Sequence, residues 1–185
     1  MRILLAGLAG AVAMFVWTAI AHMATPLGDT GFQQLPNEQA VIQQMDQSIG
    51  GRNGLYMFPW TSPKDPDRMN TMRKLEKINP SGMLLYRAPG GMGDDMSPML
   101  VKEFVKQLVQ ALIWAWIASM LALSFSLRAG AVAALSVTTA IATNVSYWNW
   151  YGFPLDYTMA QITIEIVSGI VAGLAIAGVL GRRTT

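Results

Sequence analysis

Four long runs of apolar residues, separated by polar stretches, run through this chain of 185 residues. They cover residues 3–24, about 105–127, 129–147 and about 157–180, and each approaches the roughly 20 residues that a helix needs to cross a bilayer. Charged residues make up only 13% of the chain, against about 25% in soluble proteins. The pattern predicts an integral membrane protein with helices over residues 1–24, about 98–127, 129–147 and 157–181.

The first run permits a second interpretation. Arg2 precedes it and Ala19-Ile20-Ala21 resembles a cleavage site, so a signal peptide is the alternative. The run is longer than the roughly 7–15 apolar residues of a typical signal peptide. We therefore expect a retained membrane helix.

Arginine positions set the expected orientation. With the N-terminus inside, Arg2, Arg128, Arg182 and Arg183 all lie on the cytoplasmic side, and the short loop after Ser146 carries no Lys or Arg. Residues 25–97 contain several basic residues, but loops longer than about 60 residues cross the membrane largely regardless of charge. We predict a multi-pass protein with both termini cytoplasmic and residues 25–97 on the periplasmic or extracellular side.

Residues 25–97 have the patterns of a small α+β cap. Asn37 begins an amphipathic run that stops at Gly50-Gly51, and a second run over residues 67–79 stops at Pro80, so each predicts a helix. Apolar runs over residues 54–59 and 82–89 are bounded by Gly and Pro, which is typical of strands, and we expect them to pair. The predicted fold class is a membrane all-α four-helix bundle with this cap between helices 1 and 2.

Aromatic residues are concentrated between the third and fourth runs. Residues 144–157 read Asn-Val-Ser-Tyr-Trp-Asn-Trp-Tyr-Gly-Phe-Pro-Leu-Asp-Tyr. Rings with an apolar body and a polar edge collect at the level of lipid headgroups, so this segment predicts a hairpin tip at the membrane surface. The expected interfacial anchors are Trp148, Trp150, Tyr151 and Tyr157.

The same segment carries a family resemblance. Its core Trp-Asn-Trp-Tyr-Gly-Phe-Pro, together with Pro26-Leu-Gly, Leu35-Pro-Asn-Glu, the strand from Tyr56 and Ser97-Pro98, resembles an uncharacterised family of bacterial four-helix integral membrane proteins. The likeness covers most of the chain. It implies a four-helix protein of the bacterial cytoplasmic (inner) membrane, and it implies no activity, since no function is established for the family.

Glu165 is the one ionisable residue well inside a predicted membrane helix, about 12 Å along it. A carboxylate at such a position usually faces protein or trapped water. Gln161 lies one helical turn before it, and Asn144 and Thr143 are expected opposite. A proton or cation relay and a purely structural, hydrogen-bonded Glu165 both remain open.

Small residues recur at four-residue spacing, which lets helix backbones approach closely in lipid. Most are expected to hold the four helices together, and some are expected to face a partner protein. The predicted packing positions are Gly169, Gly173, Ala177, Gly181, Gly7 and Gly10.

Sites for metals and cofactors find little support in the sequence. His22, the single histidine, lies near the outer end of the first helix and is a candidate for contacting a cofactor such as haem. Methionines and aspartates over residues 92–99 superficially suggest a soft-metal site, but no His or Cys accompanies them. Zero cysteines exclude thiolate sites, a net charge of +2 does not indicate nucleic acid, and the glycines from Gly90 lack the Lys of a phosphate loop.

We interpret the chain as a non-catalytic accessory or structural subunit of a larger membrane complex. Its expected partners are membrane lipids and other integral membrane proteins, with pigment or haem contacted only through partner chains. On general expectation the host is a respiratory or photosynthetic electron-transfer complex. Two alternatives stay open: a small proton-coupled transporter that uses Glu165, and a membrane protein that binds lipid or a periplasmic partner.

Overall fold

A computed structural model describes residues 1–90, 95–121 and 123–181. These residues form six α-helices and one two-stranded sheet, so the fold is mainly helical. The chain divides into two compact units. The helical unit comprises residues 1–32 and the residues from 96 on, and the small unit comprises residues 33–95.

The small unit contains four elements, α2 (Glu38–Ile49), β1 (Gly54–Phe58), α3 (Arg68–Glu76) and β2 (Gly82–Tyr86). The strands pair in antiparallel fashion, which confirms the predicted pair. As predicted, α2 stops where Gly50 adopts a left-handed conformation (φ 62°) that a residue with a side chain rarely takes. α3 ends at Glu76 rather than at the predicted residue 79.

Tyr86 is a buried residue of the small unit and links β2 to α2, because its hydroxyl donates to Oδ1 of Asp46 at 3.3 Å. Burial, and after it the Asp46 carboxylate, raise the pKa of the Tyr86 phenol above its ordinary value. A phenol with a raised folded-state pKa contributes stability below its unfolded pKa of about 10. That contribution is lost as the pH rises through the folded-state pKa.

We therefore expect Tyr86 to ionise above pH ~10 in the folded chain and the small unit to lose stability over the same pH window. The measurement is a tyrosinate absorbance titration of the full chain and of Tyr86→Phe, which removes only the hydroxyl. The difference between the two curves reports Tyr86. A difference curve that titrates at or below the ordinary value would contradict the proposed environment.

The helical unit is built from α1 (Arg2–Met23), α4 (Ser97–Met120), α5 (Phe125–Tyr151) and α6 (Leu155–Leu180). α1 packs against both α4 and α6, and α6 packs against α5. Alanines dominate the buried core, which lets the helices approach closely. Met14, Trp114, Val132 and Ile176 are the large side chains of that core.

α1, α5 and α6 are each long and apolar enough to cross a membrane. Among the described residues α4 does not reach the same hydropathy, although a membrane helix was predicted there. Its N-terminal half is the cause, because Lys102, Glu103, Lys106, Gln107 and Gln110 interrupt the apolar run. The fold thus has three candidate membrane spans and a fourth, more polar helix packed against α1.

The predicted break at Arg128, between helices over residues 98–127 and 129–147, is wrong. α4 ends at Met120 and α5 begins at Phe125, so Arg128 lies inside the first turn of α5. Its side chain is buried, with 2% exposure. The charged side chain that suggested a loop instead binds the C-terminal ends of two helices.

The Arg128 guanidinium donates to three carbonyl oxygens, at 3.2 Å to Ala118, 3.3 Å to Leu121 and 2.6 Å to Gly181. The last carbonyls of a helix have no partner within the helix, and a cationic donor there also complements the helix dipole. Arg128 therefore joins the C-terminal ends of α4 and α6 to the start of α5. The neighbouring charges expected on the same side, Arg182 and Arg183, lie outside the described residues.

α5 also extends further than predicted, to Tyr151 instead of residue 147. Gly152, left-handed with φ 71°, closes the helix, and Pro154 precedes α6. Trp148 and Trp150 consequently belong to the last turn of α5 and not to a loop.

Residues 25–32, predicted to belong to the cap, are instead part of the helical unit. They form a short 3-10 helix (Pro26–Gly28) and a turn. A Cβ placed on Gly31 would lie 2.8 Å from the Cα of Tyr157, so this turn contacts the start of α6 directly. The ring of Phe32 then meets that of Tyr157 edge to face at 5.5 Å.

Candidate functional site

A partly open cavity of about 670 Å³ lies among the four long helices of the helical unit. It is lined by residues within 14–23 of α1, 96–114 of α4, 136–143 of α5 and 161–168 of α6. The α4 wall alone corresponds to about 27 Å of helix. The cavity is therefore elongated, and its volume is typical of sites for small molecules.

The lining is mixed. Flexible methionines, two rings and aliphatic side chains supply an apolar surface. These residues are Met14, Phe15, Ala19, Met23, Met96, Leu100, Trp114 and Ile164. The polar lining residues are Thr18, His22, Glu103, Lys106, Gln107, Gln110, Ser136, Thr139, Thr143, Gln161, Glu165 and Ser168.

Gln107 presents an unsatisfied acceptor in this cavity. It is 2% exposed, and its Nε2 donates to Thr18 Oγ1 at 3.1 Å and to Glu103 Oε1 at 2.9 Å. Thr18 Oγ1 gives its own proton to the Met14 carbonyl at 2.8 Å, so it can only accept from Gln107. Within the described residues the carbonyl oxygen Oε1 of Gln107 is buried without a hydrogen-bond partner.

Glu165 supplies the second such atom. Its Oε2 is buried and has no hydrogen-bond partner in the part of the chain that the structure describes. The carboxyl group interacts with the side chain of Asn144 on α5 and electrostatically with Lys106 on α4. Lys106 also forms an ion pair with Glu103, with Nζ 2.7 Å from Oε1.

The α6 backbone at this point is held from both sides. Trp17 Nε1 of α1 donates to the Ile164 carbonyl at 2.9 Å, and Ser136 Oγ of α5 donates to the Glu165 carbonyl. Two consecutive carbonyls of α6 thus accept bonds from two different helices. Glu165 is positioned by this backbone as well as by its own side chain.

The chain matches no protein-family model, no curated protein and no solved structure. The family resemblance in the aromatic segment therefore stays a prediction, and the site has to be interpreted from its own chemistry.

Of the residues that the sequence singled out, Glu165, Gln161 and His22 all line this cavity. Asn144 is buried beside it, where its Nδ2 donates to the Ala140 carbonyl at 3.0 Å. His22 is exposed and donates from Nδ1 to the Thr18 carbonyl at 2.9 Å.

The candidate metal positions have a different outcome. Met92 and Asp94 of the suspected soft-metal pattern, and the glycines that follow Gly90 up to residue 93, lie outside the described residues. Among residues 1–90, 95–121 and 123–181, no group of three His, Asp or Glu side chains could hold a metal ion.

Sequence reasoning missed Lys106, Gln107 and Glu103 because the apolar stripe of α4 dominated its interpretation. A signal was present: the polar residues of this helix recur at spacings of three and four, which places them on one face. Their meeting with Glu165 depends on tertiary packing and could not be predicted from spacing.

The glycines singled out for packing lie at helix contacts. A Cβ on Gly169 would clash with the Ser136 side chain, and one on Gly173 would lie 2.5 Å from the backbone oxygen of Ala129. Both contacts join α6 to α5. Gly178, on the same helix, has no atom of the described residues within 4 Å of its Cβ position.

Gly7 and Gly10 likewise lie where α1 contacts neighbouring helices closely. A Cβ on Gly7 would meet Leu112 of α4, and one on Gly10 would lie 2.9 Å from the Ile176 side chain of α6. Ala177 is fully buried in α6, and the Gly181 carbonyl is an acceptor for Arg128.

The aromatic segment forms a chain of rings rather than a set of independent anchors. Tyr147 contacts both Tyr151 and Phe153, and Phe153 contacts Tyr157, with centroid separations of 5.4–5.7 Å. Trp148 and Trp150 are 45% and 78% exposed. The contacting rings therefore join the end of α5 to the start of α6. The exposed tryptophans are free to contact the molecule's surroundings.

Proposed function

We propose that this chain is a non-catalytic, four-helix integral protein of the bacterial inner membrane that binds one lipid-like molecule in the cavity of the helical unit. The observation that carries the proposal is an elongated, partly apolar cavity that contains two buried acceptors, Gln107 Oε1 and Glu165 Oε2, for which the described part of the chain offers no hydrogen-bond partner. Leaving such an atom unsatisfied costs about 1–3 kcal/mol, which a bound polar group would recover.

The length of α4 and the distribution of its side chains support its role as the fourth span. Its 24 residues extend about 36 Å, more than the roughly 30 Å hydrocarbon core. Four of its polar residues, between Glu103 and Gln110, line the cavity, whereas Val105, Val109 and Ile113 are exposed on the outside of the unit. A helix with one polar face toward a cavity and one apolar face toward lipid satisfies both surroundings.

The orientation follows from the arginines. Arg2 and Arg128 line one small pocket and so lie at the same end of the unit. The excess of basic residues on cytoplasmic ends assigns this end to the cytoplasm. With four spans, both termini are then cytoplasmic and the small unit lies on the periplasmic or extracellular side.

The test uses a pair of neighbouring residues on α5. Thr143 lines the cavity, whereas Ala142 is exposed on the outward face of the same helical turn. Wild type, Thr143→Trp and Ala142→Trp are purified in mild detergent and their retained lipids are analysed by native mass spectrometry. We expect wild type and Ala142→Trp to retain a lipid-like molecule and Thr143→Trp, whose ring would enter the cavity and obstruct it, to lose it. Equal retention by all three proteins would contradict the proposal.

A second function, the accessory subunit of a larger membrane complex, is favoured by the outward face of α5. Five exposed residues follow one another at four-residue spacing along this helix, and all are small. Such a face permits another membrane helix to approach closely. The residues are Gly130, Ala134, Thr138, Ala142 and Ser146.

The same two variants separate the two functions. A stoichiometric membrane-protein partner that is lost in Ala142→Trp but kept in Thr143→Trp supports the accessory subunit, because only Ala142 lies on the small-residue face. A lipid that is lost in Thr143→Trp but kept in Ala142→Trp supports the ligand-binding function. A partner retained by both variants would argue against docking at this face.

A further inference from the structure

We infer that the cavity selects a neutral amphiphile whose head group carries hydroxyl donors, with Gln107 Oε1 and Glu165 Oε2 as the atoms that accept its hydrogen bonds. The inference deepens the proposed function and rests on it, since it specifies the head group of the molecule that the cavity would bind. Both acceptors line the same cavity, and both lack a partner among the described residues.

The orientation of the Gln107 amide makes a donor necessary. Its Nε2 faces two groups that can only accept, the Thr18 hydroxyl already committed to Met14 and the Glu103 carboxylate. Rotating the amide by half a turn would place its carbonyl oxygen against that carboxylate and lose both bonds. Oε1 is therefore fixed as the atom left for a ligand, and only a hydrogen-bond donor can satisfy it.

The charges around the two acceptors further restrict which head groups fit the site. Glu103 and Lys106 already form an ion pair, and Lys106 also acts on Glu165. A phosphate or carboxylate head would meet two acceptors, one of them on a carboxyl group, and would place a second anionic group beside Glu165. An ammonium head would donate to both acceptors, but it would also lie near the Lys106 cation, so oleylamine is the probe that tests this competing head group. A neutral head with hydroxyl groups satisfies both acceptors without either conflict.

The shape and lining favour a single apolar chain behind that head. The cavity follows α4 for about 27 Å, far longer than a polar head alone requires. Met14, Phe15 and Trp114 are among its apolar walls, and flexible or planar side chains of this kind adapt to a hydrocarbon chain.

The experiment compares matched probes on the purified full chain by native mass spectrometry. Monoolein carries two free hydroxyl groups on a single chain, and its dimethyl ether keeps the same shape without the donors. Oleate and oleylamine supply the anionic and cationic heads. We expect wild type to bind monoolein about tenfold more tightly than the dimethyl ether, and more tightly than either charged probe.

Two variants connect this preference to the acceptors. Gln107→Leu and Glu165→Leu each remove one acceptor and should reduce the monoolein preference by several fold, with melting temperatures measured alongside. If either variant fails to fold, the comparison of probes on wild type still tests the head group. Equal binding of monoolein and its ether, or tighter binding of a charged probe, would overturn the inference while leaving cavity-dependent lipid retention intact. Unchanged lipid retention in Thr143→Trp would instead refute the proposed function itself.

Discussion

Arg128→Ala is expected to lower the free energy of unfolding of the helical unit by roughly 3–5 kcal/mol. The substitution removes charge-assisted hydrogen bonds to the carbonyls of Ala118, Leu121 and Gly181, and it leaves those carbonyls without these donors at the ends of two helices. Release of the buried charge offsets part of the loss. The measurement is thermal unfolding in detergent, where a fall on the order of 10 °C is expected.

Two controls make this result specific. Arg128→Lys keeps the charge but cannot reach three carbonyls with a planar set of donors, so it should fall between wild type and the alanine variant. Arg73→Ala removes an exposed arginine of the small unit and should change the melting temperature little. A melting temperature of Arg128→Ala close to that of Arg73→Ala would show that the guanidinium does not hold the helix ends together.

Gly173→Ala should destabilise the pairing of α5 and α6 by roughly 1–3 kcal/mol. The new methyl group would lie 2.5 Å from the backbone oxygen of Ala129, and a backbone cannot move aside as the end of a flexible side chain can. The two helices must separate, which disturbs neighbouring contacts such as that of Gly169 with Ser136.

Gly178→Ala is the matched control on the same helix. No atom of residues 1–90, 95–121 or 123–181 lies within 4 Å of its Cβ position, and alanine favours helix over glycine by about 1 kcal/mol. We expect this variant to be slightly more stable than wild type. Thermal unfolding of both variants gives the comparison, and two alanine variants with equal stability would remove close backbone contact as the reason for glycine at position 173.

Hydrophobic periodicity was sufficient for the elements and insufficient for several of their boundaries, of which the one between α4 and α5 has the largest consequence. It predicted the strand pair, the stop of α2 at Gly50 and the three most apolar helices, because each follows from local pattern or from glycine conformation. The segment between α4 and α5 contains neither Gly nor Pro, so the charge of Arg128 was the only sequence signal that suggested a helix boundary. That charge is instead buried against helix ends, a role that depends on where α6 finishes.

The candidate site could be predicted only in part for the same reason. Glu165 stands out in any apolar sequence, and Gln161 follows from helical spacing. Gln107 does not stand out, because its importance comes from Thr18 and Glu103, which bind its Nε2 and leave its Oε1 without a partner among the described residues. A proton-coupled role for Glu165 stays a prediction. The structure adds two further ionisable residues, Lys106 and Glu103, to the lining of the same cavity.

The bonds from Trp17 and Ser136 to successive carbonyls of α6 have a consequence for motion. Sliding or rotating α6 against its neighbours requires breaking both bonds, so α1, α5 and α6 form a stiff frame around Glu165. α4 contacts α1 far more than α5 or α6, but Arg128 ties its C-terminal end to both of those helices. We therefore expect slow opening and closing of the cavity to come from the N-terminal half of α4, whose displacement alters the separation of Gln107 and Lys106 from a carboxyl group that stays in place.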